Sequence, residues 1–163
     1  VTMNAAKVLG ISGVKNSGKT TLISKLIPAF QRKGYELAVL KHDGHSYDPE
    51  PQGTDTHAYY KAGASSWAIY DGEKFSFNQK RKMTSEDLLP FFKGADLVLI
   101  EGLKGSDYPK LELMREINGR DPVCKEETVL AYVVDFPYEG TKTSFKFYEI
   151  EELTDFIIER LLK

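Results

Sequence analysis

Residues 13–20 read GVKNSGKT and form a glycine-rich turn between an apolar run and a segment with helical periodicity. The spacing is G-x-x-x-x-G-K-[ST], in which glycines let the backbone approach an anion while successive amide groups point inward. The helix that follows adds the positive end of its dipole. This P-loop therefore predicts a triphosphate site at the end of the first strand of an α/β fold.

The polar residues of this turn have distinct expected roles. Lys19 is expected to reach the β- and γ-phosphates, and Thr20 to place its hydroxyl on a magnesium ion. A second acidic element follows DLVLI, because that apolar run places Glu101 at the carboxyl end of a strand, where ligands bind in open sheets. Glu101 is a candidate to order the metal or a water, and the alternative is a surface acid. Asp43, after the second strand, is the candidate for outer-sphere magnesium contact.

Apolar periodicity predicts the regular elements. Strands are expected at 7–12, 36–41, 96–100, 110–114 and 129–134, and helices at 18–33, 55–61 and 151–162. Asp71-Gly72, between the segments 66–70 and 73–77, predicts a hairpin with a two-residue turn. Strands alternating with helices predict a P-loop NTPase-like α/β fold, a doubly wound and mainly parallel sheet with a β-hairpin extension at about 66–78. We expect residues 1–163 to form a single nucleotide-binding domain.

Composition excludes several classes of function. The net charge of −2 argues against a general nucleic-acid binder. No apolar run approaches the ~18 residues of a membrane span, and the first residues, VTMNAAK, lack an apolar signal-peptide core. Cys124 is the one cysteine, so no internal disulfide is expected, and no histidine stands beside it to support thiol catalysis. These features predict a cytoplasmic protein.

Two further groups leave alternatives open. His42, His45 and His57, with Asp43, Asp48 and Asp55, contain the side chains of a metal site, but their spacing matches no common zinc pattern. A polar loop that closes on a ligand is the favoured interpretation. The basic run QKRK at 79–82 either reaches an anionic ligand or forms a solvated turn.

Four segments together resemble one family: GVKNSGKTTL, KHDGH, GTDTHAYYKAGA and DLVLIEGLK, spread from Gly13 to Lys104. They are similar to the molybdopterin-guanine dinucleotide biosynthesis protein B (MobB) family. The resemblance implies a homodimeric GTP-binding accessory or adaptor protein of the molybdenum cofactor pathway, with weak GTPase activity at most. It also implies GTP and Mg²⁺ as ligands. The implied partners are the molybdenum cofactor guanylyltransferase and, further, molybdoenzymes or molybdopterin.

The resemblance assigns roles residue by residue. The nucleotide-binding positions are Gly13, Lys15, Asn16, Ser17, Gly18, Lys19, Thr20 and Thr21. Lys19 and Glu101 are the candidate catalytic residues, and the magnesium candidates are Thr20, Asp43 and Glu101, with Asp55 in addition. Guanine preference rests on the resemblance, since the chain has no N-K-x-D motif. Arg115, in KLELMREING, is expected near the base or near the partner.

Two other classes of function remain open at this point. A P-loop kinase of a small metabolite would use QKRK as a lid and Glu101 as an acid, but it leaves GTDTHAYYKAGA without a role. A metal-insertion chaperone GTPase would use the histidines, although it would need more Cys or His. Phosphate transfer to a small acceptor would favour the kinase, and stoichiometric nickel or zinc binding would favour the chaperone.

Overall fold

The structure, a computed structural model, describes residues 6–163. Residues 1–5, on which the expectation about a signal peptide mostly falls, lie outside the described residues. The chain divides into two compact units, one containing the residues up to His42 together with Ser85–Lys163, and the other containing Asp43–Thr84. The single domain spanning 1–163 therefore stays a prediction. Across residues 6–163, no helix combines the length and apolarity needed to cross a membrane.

The regular elements follow the predicted order closely. The strands are β1 Lys7–Gly13, β2 Leu37–Lys41, β3 Ser66–Tyr70, β4 Phe75–Gln79, β5 Leu97–Glu101, β6 Lys110–Met114, β7 Val129–Val134 and β8 Ser144–Lys146. The helices are α1 Lys19–Arg32, α2 Asp55–Ala62, α3 Ser85–Leu88 and α4 Ile150–Ile157. Short 3₁₀ turns cover Leu89–Phe92, Glu116–Asn118 and Glu126–Thr128, and a π turn at Ile158–Leu162 continues α4.

The first unit is built on a six-stranded sheet in the order β2-β5-β1-β6-β7-β8, and every pairing in it is parallel. This confirms the predicted α/β class with its mainly parallel sheet. β1 lies between β5 and β6, and Ile11 pairs with Glu101 across β1 and β5. Because the strands are parallel, their carboxyl ends meet at one edge. The turn that follows β1 and the acid that ends β5 are thereby brought together.

One face of this sheet is covered by α1 and α4. Leu9 of β1 and Leu99 of β5 are fully buried in a core that also contains Leu26 and Phe30 of α1 and Leu153 of α4. Alternate strand residues contribute to this core, as the two-residue period of a strand requires. The helix that begins at the glycine-rich turn is therefore fixed to the sheet along its length.

The opposite face of the sheet carries a smaller cluster around Tyr132 and Val134, with Cys124 packed against it. Burial raises the pKa of the Cys124 thiol to about 11, and the nearby Glu112 carboxylate adds to the rise. The thiol therefore carries its proton near neutral pH, so this cysteine is a poor nucleophile.

The hairpin lies in the second unit, where β3 and β4 pair antiparallel with Tyr70 opposite Phe75. The prediction of a two-residue turn at Asp71-Gly72 is wrong, because the connection is the four residues from Asp71 to Lys74. The Asp71 carboxylate accepts hydrogen bonds from the backbone N–H groups of Glu73 and Lys74, at 2.8 and 3.0 Å. This Asx-type bonding holds the longer loop, so β4 begins at Phe75 rather than at Glu73.

The carboxylate of Glu50 ties the second unit together. It accepts hydrogen bonds from Thr56 Oγ1 at 2.7 Å, Trp67 Nε1 at 2.7 Å and Asn78 Nδ2 at 3.0 Å. One side chain thereby joins α2, β3 and β4. The hydrogen bond from Thr56, and then that from Trp67, hold the pKa of Glu50 below its ordinary value of 4.5.

The lowered pKa of Glu50 predicts an acid transition in this unit. Stabilisation by a carboxylate whose pKa is depressed on folding is present above its unfolded-state pKa of 4.5 and is lost as the pH falls through the folded value. Because Trp67 is the one tryptophan of the chain, its fluorescence should follow this transition. Glu50→Gln should remove the transition. The control is Asp71→Asn, since the pKa of Asp71 is also lowered, chiefly by Lys74. An unchanged transition in Glu50→Gln would contradict the assignment.

Candidate nucleotide-binding site

The backbone of the turn after β1 has a shape that excludes side chains at its two glycines. Gly13 has φ +146°, and a Cβ there would lie 2.6 Å from the carbonyl oxygen of Leu113 and 2.8 Å from Ser17 Oγ. Gly18 has φ +93°, and a Cβ there would lie 2.8 Å from the Arg115 guanidinium. The glycines of the motif are thus required by close packing as well as by conformation.

The ammonium group of Lys19 lies back over the turn. Its Nζ donates hydrogen bonds to the carbonyl oxygens of Val14, at 2.7 Å, and Gly13, at 3.3 Å. Burial lowers the pKa of Lys19 from its ordinary value of 10.5, the Glu101 carboxylate opposes this shift, and Lys41 and Lys104 add to it. Neutral carbonyl groups are weak partners for a partly desolvated cation, and an anion at the same place would be a stronger one.

Thr20 and Glu101 meet at the carboxyl edge of the sheet. Thr20 Oγ1 donates a hydrogen bond to Glu101 Oε1 at 3.0 Å. The turn after Glu101 is held to β1, because Gly102 N–H donates to the Ile11 carbonyl at 3.1 Å and Ser12 Oγ donates to the Gly102 carbonyl at 2.8 Å. The structure therefore places the acid predicted from DLVLIE on the same side as the P-loop threonine.

A cavity of about 430 Å³ opens at this edge. Seven of the eight nucleotide-binding positions predicted from the sequence line it, namely Lys15, Asn16, Ser17, Gly18, Lys19, Thr20 and Thr21, together with Lys41 and Glu101. Its volume is within the range of small-molecule sites, about 300–1,000 Å³. Lys41 was not among the candidate residues, although it ends β2 and pairs with Glu101 in the sheet register. The signal was present in KHD, but the interpretation favoured Asp43.

Ser17 carries an unsatisfied hydroxyl beside this cavity. The side chain is fully buried, and its Oγ has no hydrogen-bond partner among the described residues. Buried polar atoms in folded proteins almost always have partners, so an exception calls for an explanation. A ligand oxygen in the turn is one such partner.

Arg115 holds the turn from behind. Its Nε donates to the Ser17 carbonyl at 3.2 Å, and Nη1 lies 3.4 Å from a carboxylate oxygen of Asp135. The guanidinium carbon lies 3.7 Å from the ring centroid of Phe147. These contacts place Arg115 beside the P-loop, and its expected position near the base or near the partner stays a prediction.

Asn118 makes a second contact of the same kind. Its Nδ2 donates to the Asn16 carbonyl at 3.3 Å. Asp135 supports this segment, because it also accepts the backbone N–H of Glu116 at 2.7 Å. The carbonyl groups of residues 16 and 17 are thereby engaged by two side chains of the segment that follows β6.

The remaining metal candidates belong to the second compact unit. Asp43 accepts the backbone N–H of His45 at 3.1 Å, and Asp55 lies in the first turn of α2. Their roles toward magnesium stay predictions. His57 Nδ1 lies 3.8 Å from an Asp48 carboxylate oxygen. Within residues 6–163, no three His, Cys, Asp or Glu side chains form a group able to hold a metal ion.

Comparison with known proteins identifies the relatives of this chain. The sequence profile of the family described as "Molybdopterin guanine dinucleotide synthesis protein B" (MobB) matches residues 8–135. A protein of Haemophilus influenzae named "Molybdopterin-guanine dinucleotide biosynthesis adapter protein" is 33% identical over 158 residues, which covers 94% of this chain and 89% of that protein. The Escherichia coli protein of the same name is 28% identical over 164 residues, covering 96% and 94%.

Solved structures agree in fold. The crystal structure of Bacillus subtilis MobB matches with a TM-score of 0.75 and 23% identity, covering 95% of this chain and 98% of that one. At this identity the match supports the architecture alone. The family resemblance predicted from the four sequence segments is confirmed by the profile match.

The contact of Arg115 with the turn predicts a local effect of its removal. A hydrogen bond to a charged group contributes ~1.5–3 kcal/mol, so Arg115→Ala should speed amide hydrogen exchange in residues 14–18 by roughly tenfold or more. Arg120→Ala is a matched control, since Arg120 pairs with Glu116 at 2.6 Å and stacks on Phe136 at 4.8 Å, and none of these groups belongs to the turn. Equal exchange in the two variants would show that Arg115 does not hold the P-loop.

Proposed function

This chain belongs to the molybdopterin guanine dinucleotide synthesis protein B family, and on that premise we propose that it is a GTP-binding adaptor in the biosynthesis of molybdopterin guanine dinucleotide. The observation that carries the proposal is the P-loop cavity, with Lys19 and the unpartnered Ser17 hydroxyl at one site. The names of the Haemophilus influenzae and Escherichia coli relatives support the adaptor role over a metabolite kinase.

The residues present fit a triphosphate. Gly13 and Gly18 allow the tight turn that brings these residues to one cavity, because a Cβ at either position would collide with neighbouring protein atoms. A phosphate oxygen would satisfy Ser17 Oγ and would replace the carbonyl groups of Gly13 and Val14 as the partner of Lys19. Lys15, Asn16 and Thr21 line the same cavity. GTP is proposed over ATP because of the family, since no residue at the site identifies the base.

The residues also fit a magnesium ion. The Thr20 hydroxyl and the Glu101 carboxylate, 3.0 Å apart, supply the oxygen ligands that Mg²⁺ prefers. When bound, the ion would neutralise charge on the β- and γ-phosphates. Because Thr20 Oγ1 donates a hydrogen bond to Glu101, the lone pairs of the hydroxyl oxygen remain available to a cation. We propose Asp43 as an outer-sphere contact and Asp55 as a further candidate.

Hydrolysis of GTP is proposed to be weak. Lys19 would hold charge on the phosphates, and Glu101 would orient a water. The Arg115 guanidinium is already engaged by Ser17, Asp135 and Phe147. An arginine that a partner supplies contributes ~10³–10⁵ in rate to P-loop GTPases, and its lack leaves hydrolysis slow.

The useful output would then be presentation of a guanine nucleotide to a protein partner in the cytoplasm. The proposed partner is the molybdenum cofactor guanylyltransferase, with molybdoenzymes or molybdopterin as further candidates.

A homodimer is also proposed, because Tyr70, Phe75 and Phe77 share one face of the β3–β4 ribbon and are 83%, 79% and 56% exposed. Exposed apolar ribbons of this kind tend to pair with another chain.

The role of Lys19 predicts a loss of nucleotide affinity. A charge-assisted hydrogen bond contributes ~1.5–3 kcal/mol, so Lys19→Ala should weaken GTP binding by roughly tenfold to hundredfold. The fold should be retained, because the ammonium group contacts the turn and not the core. Calorimetric titration measures the affinity, and Lys25→Ala, an exposed lysine on α1, is the control. An unchanged affinity in Lys19→Ala would remove the triphosphate site.

The adaptor role has its own test. The protein is mixed with GTP, molybdopterin and the guanylyltransferase, and formation of the dinucleotide is measured. Wild type should stimulate the reaction, and Lys19→Ala should stimulate it less at GTP concentrations that leave the variant unsaturated. If both proteins stimulate equally, nucleotide binding is not how this protein assists.

The magnesium assignment predicts a change in metal dependence. Glu101→Gln keeps the shape of the side chain but removes its charge, so the gain in GTP affinity on adding Mg²⁺ should fall by about tenfold. Glu127→Gln, an exposed carboxylate on another segment, should leave that gain unchanged. Equal magnesium dependence in wild type and Glu101→Gln would exclude Glu101 from the metal site.

The dimer proposal is tested by mass in solution. Light scattering at concentrations of tens of micromolar should show twice the mass of one chain, and Phe75→Ser with Phe77→Ser should reduce it to one. Ser76→Ala, on the opposite face of β4, is the control for disturbance of the strand. A monomeric wild type would rule out the dimer at these concentrations.

A further inference from the structure

The second compact unit contains a cavity of about 180 Å³ that the proposed nucleotide site does not use. Its lining includes three aromatic residues, Tyr47, Tyr60 and Trp67. The rest of the lining consists of Pro49 and three polar residues, Asn78, Gln79 and Lys80, at the end of β4 and just beyond it. A concave site with aromatic walls and a few polar groups is the usual form of a small-molecule site.

The aromatic walls are held in place. The ring centroids of Tyr60 and Trp67 are 5.2 Å apart, at an interplanar angle of 47°. Trp67 is buried, and its indole N–H donates to Glu50 at 2.7 Å, so that the ring has one orientation. Tyr47, by contrast, is 68% exposed. Fixed aromatic faces favour a flat ligand that stacks on them.

The cavity also has a cation at its wall. Lys80 Nζ lies 4.7 Å from the ring centroid of Tyr60 and 5.9 Å from that of Trp67, and it donates to the Tyr60 carbonyl at 3.0 Å. Lys80 begins the exposed run Lys80-Arg81-Lys82, the basic part of the QKRK motif for which the sequence left two interpretations. An anionic group on a ligand in the cavity would find its partners there.

We propose that this cavity binds the pterin ring of an anionic pterin, with its phosphate directed to Lys80 and the basic residues that follow. The identification of the ring as a pterin rests on the proposed function, since the family description names the synthesis of molybdopterin guanine dinucleotide. The volume of 180 Å³ is below the ~300–1,000 Å³ of sites that enclose a whole small molecule, so the cavity would hold only the ring part of such a ligand. Asn78 and Gln79 supply amide groups for the polar edge of the ring.

Trp67 makes the proposal directly measurable. It is the one tryptophan in the chain, and its emission overlaps the absorption of an oxidised pterin. The probes are 6-hydroxymethylpterin and 6-hydroxymethylpterin monophosphate, titrated into the intact protein. Binding should quench Trp67 and produce pterin emission in a saturable manner, and the phosphorylated probe should bind about tenfold more tightly because of its charge. A linear response without saturation would overturn the proposal.

Two lysine variants test whether the lysine that lines the cavity, rather than a lysine beside it, binds the phosphate of the probe. Lys80→Ala should remove most of the preference for the phosphorylated probe. Lys61→Ala is the matched control, because Lys61 Nζ lies 5.4 Å from the Tyr60 ring centroid but does not line the cavity. If Lys80→Ala perturbs the fold, Trp67→Phe keeps an aromatic wall, and its affinity is read from the anisotropy of the pterin itself. An equal preference for phosphate in wild type and Lys80→Ala would overturn the proposal.

Competitors and a P-loop variant complete the test. Displacement of the pterin by GTP in the Lys19→Ala background, or by a single-stranded oligonucleotide, would overturn the pterin assignment in favour of a general site for bases. Saturable pterin binding that persists in Lys19→Ala supports a separate site. GTP binding is measured on the same samples. Loss of the pterin signal with GTP binding intact therefore counts against the cavity alone, whereas absent GTP binding counts against the proposed function.

Discussion

The parallel pairing of β1 with β5 is the constraint on which the rest of the first unit depends. It aligns the ends of the two strands, so that the turn after Gly13 and the acid at Glu101 lie at one edge. Hydrogen bonds from Ser12 and Gly102 close this junction across the two strands. The apolar core beneath it fixes α1, and α1 in turn fixes the positive end of its dipole at the turn. The positions of the polar groups at this edge therefore depend on the apolar core that holds α1 against the sheet.

Two cationic side chains, Lys19 and Arg115, donate hydrogen bonds to backbone carbonyl groups of the P-loop. On the inner side Lys19 rests on neutral carbonyl groups, and partial burial lowers its pKa, so the free protein carries an incompletely solvated cation. On the outer side Arg115 is bonded to the Ser17 carbonyl and paired with Asp135. An anion in the turn would be a stronger partner for Lys19 than these carbonyl groups are. Pre-organisation of this kind is what lets backbone amides act as a binding site.

The second unit is held by different means. It has a small apolar interior, and its elements are joined through the Glu50 carboxylate, which bonds to Thr56, Trp67 and Asn78. A two-stranded ribbon is marginally stable alone, and a shared polar acceptor with a packed tryptophan compensates for this. The same unit contains the exposed Tyr70, Phe75 and Phe77 and the aromatic cavity.

The sequence by itself determined the P-loop, the order of the main strands and helices, and the family, because these depend on local spacing and on periodicities of two and about 3.6 residues. Glu101 was found for the same reason, since an acid directly after an apolar strand has a defined edge in a parallel sheet. Only the tertiary structure decided the places of Lys41, Arg115 and Glu50, because their partners are distant in sequence. It also decided the four-residue loop from Asp71 to Lys74 and the strand β8, Ser144–Lys146, since side-chain bonding sets the loop and pairing with β7 creates the strand. Contacts between residues that are distant in sequence produce no periodic pattern in the sequence. These contacts fix the side chains that surround the P-loop and join the second unit.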